Sequence, residues 1–182
     1  MDTFDDIDIT HGNRNGEPDC CQGIQSTGVG RIDEKRMYCF VLRQLSPIQK
    51  GIQAAHSVAE YMLKYKNEQR TEMWAYNDKT LVLLDGGDAD EIEETYNKLV
   101  EIGVPVVAFR ESSLKDIVTS VCIIADERCW NKTEFPDYNG VYVSYGNGTD
   151  YDERQYGHLV SMGLTHCDIE LRNIVTNRRT AL

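Results

Sequence analysis

From Tyr38 onward the chain alternates short apolar runs with longer stretches of helical period. Tyr38-Cys39-Phe40-Val41-Leu42 is aromatic and branched, which predicts a buried strand near 37–43. Ser46-Pro47 follows, a hydroxyl cap with proline at the first helical position. Ile48, Ile52, Ala55, Ala59, Met62 and Leu63 then recur at spacings of three and four, predicting a helix near 47–65 with that stripe against the core. Residues 67–76, with Met73 and Trp74, predict a second, short helix.

Leu81-Val82-Leu83-Leu84 predicts a strand near 80–84, closed by the turn Asp85-Gly86-Gly87. Asp88 and Glu91 have capping-box spacing. Ile92, Tyr96, Leu99 and Val100 then line one face of a helix near 88–102, and Gly103 stops it. Strands near 104–109 and 119–125 complete the set, joined by a polar turn from Arg110 to Asp116. Strands alternating with helices imply an α/β fold with a largely parallel sheet. The last connection is too short for a crossover, so the final strand pairs antiparallel with its predecessor. Past Asp126, the residues 138–140 read as a turn, 141–143 as a short strand, and 146–148 as a loop. Helices are predicted over 152–162 and 167–175. The chain thus divides into an acidic, flexible arm (1–34), an α/β domain (35–127) and a C-terminal extension (128–182).

Charge changes the picture of partners. Formal net charge is −11, and residues 1–34 alone carry eight acidic side chains against Arg14 and Arg31. Nucleic-acid binding draws most of its affinity from neutralised phosphates, so tRNA is disfavoured and small ligands or protein partners are favoured. The N-terminus is acidic and polar rather than basic then apolar, and no apolar run approaches ~18 residues. No signal peptide or membrane span is therefore expected, and the setting is cytoplasmic. Six cysteines show no C-x-x-C pair, and Cys39 and Cys122 read as reduced, buried thiols. His158 and His166 stand eight apart without a matching Cys or acid set, so neither a metal nor another cofactor is expected.

The stretch L-S-P-I-Q-K-G-I-Q-A-A-H-S, Leu45 to Ser57, resembles the signature of type II peptidyl-tRNA hydrolases. In that family a loop with lysine and glycine leads into a helix reading K-x-A-A-Q-x-x-H-A. Gln53 and His56 fall on the family's glutamine and histidine, and Ser57 on the small residue after it. The resemblance covers about ninety residues, and it implies a four-stranded mixed sheet with flanking helices and the final strand beside the first. In this register the family's functional lysine falls on Gln49, with Lys50 one place later, a rotation of about 100° on a helix. The family's D-A-G-x-T element falls on Glu111-Ser112-Ser113-Leu114-Lys115. Its acid becomes Glu111, its threonine becomes Lys115, and a second threonine becomes Ser120, beside Thr119.

What the resemblance implies is a cleft at the start of the first helix. Lys50, Glu111 and Ser120 stand there as catalytic candidates, with Gln49, Gln53, His56, Lys115 and Thr119 as ligand-binding ones. A solvated helix flank explains the Gln49, Gln53, His56, Glu60 row equally well from spacing alone. Asp85-Gly86-Gly87 has the form of a phosphate nest but is more often a turn into a helix. The tail tyrosines Tyr138, Tyr142, Tyr145, Tyr151 and Tyr156 could stack on a base or pack on the domain.

Three functions follow. The first is a repurposed hydrolase fold that recognises a small nucleotide-type ligand, holding or cleaving it. Short relatives of this fold are encoded by tailed bacterial viruses, and this chain looks like one of them. Anti-defence action on a host immune nucleotide, in the host cytoplasm, is the concrete version. The second is peptidyl-tRNA hydrolysis through Lys50 and Glu111. The third is a non-enzymatic interaction module using the acidic arm. A homodimer is compatible with all three.

Overall fold

The computed structural model describes residues 34–139 and 153–181. The acidic arm up to residue 33, the strand expected over 141–143, the loop at 146–148, and Tyr142, Tyr145 and Tyr151 lie outside the described residues. Four strands, β1 (Arg36–Leu42), β2 (Thr80–Gly87), β3 (Val106–Glu111) and β4 (Ile117–Ala125), form one sheet in the order β2-β1-β4-β3. β1 and β2 run parallel, while β4 is antiparallel to both β1 and β3. The fold is the expected α/β architecture, a mixed four-stranded sheet flanked by helices, with the final strand beside the first. The sheet is not largely parallel, since two of its three strand pairings are antiparallel because β4 runs against both neighbours.

Two helical layers cover the sheet. α1 (Pro47–Lys64) and α2 (Gln69–Met73) lie over the face that presents Met37, Cys39, Val41, Cys122 and Ile124. α3 (Ala89–Glu101), α4 (Glu127–Trp130) and α6 (His166–Thr176) cover the opposite face, where Tyr38, Phe40, Leu42, Val121 and Ile123 meet Ile92, Leu99, Cys129, Leu171 and Val175. This split follows from the period of two along each strand. α5 (Glu153–Ser161) closes a small satellite core of Leu159, Leu164 and Ile169.

The extension is bound to the domain. Buried Arg172 donates to the carbonyls of Arg128 (3.0 Å) and Phe135 (2.8 Å) and pairs with Asp137 at 2.9 Å. The chain's end then runs antiparallel along the open edge of β2: Ala181 N–H donates to Leu83 O and Asp85 N–H to Arg179 O. Backbone groups at a sheet edge thereby find partners.

Three further expectations are corrected. The first-helix stripe faces the wrong way. Ile48, Ile52, Ala55, Ala59 and Leu63 are exposed, and the sheet-facing side is Lys50, Gln53, Ala54, Ser57 and Tyr61. Gln53 and Ser57 turn to that side because they find partners on β4, which spacing alone does not reveal. Next, Asp85-Gly86-Gly87 continues β2 instead of closing it, and residues 67–76 form α2 followed by a wider π-helical turn at Trp74–Asp78. Finally, Val100 is exposed, and Thr95 takes its place on the buried face of α3. Among the described residues no helix is long and apolar enough to cross a membrane.

Candidate functional site

α1 begins at the carboxyl end of β1. Ser46 caps it, and Gln49 completes a capping box by accepting from both Ser46 N–H (3.0 Å) and Ser46 Oγ (2.9 Å). Gln49, expected among the ligand-binding residues, is therefore occupied with the helix start. Lys50, the next residue, turns about 100° away and faces the sheet. It is only 8% exposed, yet its ammonium forms no hydrogen bond or ion pair among the described residues.

One turn further along the same side, Gln53 joins two elements that lie far away in sequence. Its Oε1 accepts from Thr119 Oγ1 at 2.8 Å, and its Nε2 donates to Glu111 Oε2 at 3.1 Å. These two contacts fix which way the amide points. Glu111 Oε1 in turn accepts from Ser113 Oγ (3.0 Å) and Ser113 N–H (3.4 Å). The Gln53 amide first, then the Ser113 hydroxyl and N–H, hold the Glu111 carboxyl below its usual range. Glu111 is thus kept ionised beside Gln53 and Ser113.

A β-bulge makes this convergence possible. Phe109 pairs with Ser120 and Arg110 with Val118, leaving Thr119 as the extra residue of β4. Bulges re-aim side chains and recur beside functional sites. Here Thr119 and Ser120, consecutive in sequence, both turn toward α1. Thr119 reaches Gln53, while Ser120 Oγ lies 2.8 Å from Ser57 Oγ. Ser57 Oγ also lies 2.9 Å from Ala54 O, and either hydroxyl can donate within the Ser57–Ser120 pair. Both serines are fully buried. Beneath them the thiols of Cys39 and Cys122 face each other at 3.5 Å.

His56 stands on the outer wall. Its ring stacks on Phe109, with centroids 4.6 Å apart and planes inclined by 17°, and its other face is exposed. Lys115 sits in the β3–β4 hairpin with φ of 60°, an unusual conformation for a side-chain-bearing residue. It is exposed and makes no contact with the Gln53–Glu111 centre.

The structure therefore brings Gln53, His56, Glu111 and Thr119 together, with Lys50 one turn toward the helix start on the same side as Gln53. Ser120 sits below the floor, and Gln49 and Lys115 stand apart. The Asp85-Gly86-Gly87 nest is filled by its own carboxylate, since Asp85 accepts from Gly87 N–H at 2.9 Å and pairs with Arg43 and Arg179. Sequence reading missed Phe109 as the platform for His56 and Ser113 as a partner of Glu111. The bulge left a trace: Thr119-Ser120 is a consecutive polar pair that breaks alternation in an otherwise apolar strand. No protein-family model matches this chain, and no curated protein matches it.

Proposed function

We propose that this chain holds a small nucleotide-type ligand on the surface between the start of α1 and the β3–β4 hairpin. The observation that carries this reading is Lys50. Its stem is buried on the sheet side of α1, its ammonium is not among the buried unpartnered atoms, and it has no hydrogen-bond or ion-pair partner among the described residues, so the charge is available at the surface. An anionic group bound there would pair with it. The exposed face of the His56–Phe109 stack offers a flat surface for a base, and base–aromatic stacking contributes roughly 1–3 kcal/mol. The ionised Glu111 carboxylate offers an acceptor for a ribose hydroxyl or a base N–H.

Holding is favoured over cleavage. Of the catalytic candidates, Ser120 is buried against Ser57, and Glu111 has both oxygens engaged and a lowered proton affinity. A weak base at neutral pH and an inaccessible hydroxyl make poor acid–base or nucleophilic groups. Peptidyl-tRNA turnover finds less support still, because the position aligned with the family's lysine is Gln49, committed to the helix cap.

The test is to denature the purified protein and identify released nucleotides by mass spectrometry, then measure binding of adenosine monophosphate and inorganic pyrophosphate by calorimetry. A charge-assisted contact is worth roughly 1.5–3 kcal/mol, so Lys50→Ala should weaken binding about tenfold or more. Lys132→Ala should not, since Lys132 already pairs with Asp137 at 2.6 Å. No released nucleotide together with no binding of either probe would overturn the reading.

A further inference from the structure

Lys50, Gln53 and His56 follow one another at intervals of three along α1, each step a rise of about 4.5 Å and a turn of about 60°. Two of them meet a partner on β3. Gln53 reaches Glu111 at 3.1 Å, and His56 stacks on Phe109, two residues before Glu111. Read from His56 toward the helix start, the order is an aromatic stack, a polar pair and a cation.

The polar pair has one acceptor and one donor left over. An ionised carboxylate offers about four acceptor positions, and Glu111 gives three of them to Ser113 Oγ, Ser113 N–H and Gln53. The remaining position belongs to Oε2. Gln53 Nε2 carries two hydrogens; one points to Glu111, and the other has no partner among the described residues. The oxygen end of this amide rests on fully buried Thr119 and the nitrogen end on half-buried Glu111, so the nitrogen is the outer end. The free acceptor and the free donor thus stand side by side on atoms 3.1 Å apart, each side chain held from behind by a second contact.

Resting on the nucleotide reading above, we propose that this pair receives the 2′,3′-cis-diol of the ligand's ribose, so that the chain selects ribonucleotides over deoxyribonucleotides. One hydroxyl donates to Glu111 Oε2, and its neighbour accepts from Gln53 Nε2. Two hydroxyls on one face of a sugar supply such an adjacent donor and acceptor, and the ionised carboxylate makes the first of these bonds charge-assisted. The order along the helix favours the sugar over a base edge. In a nucleoside 5′-phosphate the ribose lies between base and phosphate, as the Gln53–Glu111 pair lies between the His56 ring and Lys50.

The experiment is calorimetry of the full chain with adenosine 5′-monophosphate and with its 2′-deoxy and 3′-deoxy forms. The form lacking the hydroxyl that donates to Glu111 should bind about tenfold more weakly than the ribonucleotide, and the other form about threefold more weakly. This ratio is read on the parent chain and needs no variant. Glu111→Gln removes the charge at constant shape and should bring the larger ratio down to about the smaller one, with unchanged circular dichroism. Lys50→Ala should weaken all three ligands alike and leave the ratios as they are. Equal binding of the three ligands by the parent chain, with Lys50→Ala weakening each, overturns the diol assignment and leaves the nucleotide reading standing. A large ratio that survives Glu111→Gln overturns the role of Glu111. No binding of any of the three overturns both readings.

Discussion

Gln53 on α1 and Glu111 at the end of β3 meet side chain to side chain at 3.1 Å, across 58 positions of sequence. The same Gln53 accepts from the buried Thr119 hydroxyl, so one amide ties the helix to both strands of the β3–β4 hairpin. In Gln53→Ala the main cost falls on Thr119, whose buried hydroxyl keeps only the longer contact to Phe109 O at 3.3 Å. A lost intramolecular hydrogen bond costs roughly 0.5–1.5 kcal/mol net. Urea denaturation of the variant should show a loss of that order, and an unchanged midpoint would contradict the role given to Gln53.

Glu111 should titrate below an ordinary glutamate, and the Gln53 amide is the leading cause. A carboxyl with a folded-state pKa below its unfolded value, roughly 4.3, stabilises the fold fully above that value. The contribution disappears as pH falls through the folded pKa. Carboxyl-carbon NMR of Glu111 should therefore show a higher pKa in Gln53→Ala than in the parent. Equal values in the two proteins would remove Gln53 as the cause.

Asp85 joins the chain's end to the sheet. Burial pushes its carboxyl up, but the Gly87 N–H, Arg43 and Arg179 together hold it below the usual range. Asp85→Ala strands the buried Gly87 N–H, at a cost of roughly 1–3 kcal/mol, and releases Arg179. The Ala181 amide, bonded to Leu83 O at 3.0 Å, should lose hydrogen-exchange protection in this variant. Unchanged protection there would mean that the backbone bridge alone holds the tail.

Peptidyl-tRNA turnover should be weak or undetectable at physiological salt. A net charge of −11 opposes binding of a polyanion, and Gln49 stands in the lysine's place. Release of the free peptide acid and deacylated tRNA from a model peptidyl-tRNA is the assay, and turnover well above the uncatalysed rate would reverse the reading in favour of a hydrolase.

Most of the scaffold was legible because its signals are local. Ser46-Pro47, the Asp88–Glu91 pair and Gly103 mark helix ends through contacts within a turn, and all three lie where those signals place them. The apolar run of β1 likewise became the buried second strand of the sheet. The orientation of α1 was not legible. Its most apolar stripe faces outward, while Gln53 and Ser57 turn inward because Thr119 and Ser120, more than sixty residues on, are there to bond them. Gln49 is engaged locally instead: its partner, Ser46, is three residues away, at capping-box spacing.

The central claim is that Lys50 supplies the cationic contact for an anion. Lys50→Met keeps the buried stem and removes only the charge, which has no partner among the described residues. The decisive measurement is therefore Lys50→Met, with unfolding free energy of the ligand-free protein and affinity for adenosine monophosphate determined on the same sample. Stability close to that of the parent, with affinity reduced about tenfold or more, is the predicted result. A variant that binds the nucleotide as the parent does would contradict it.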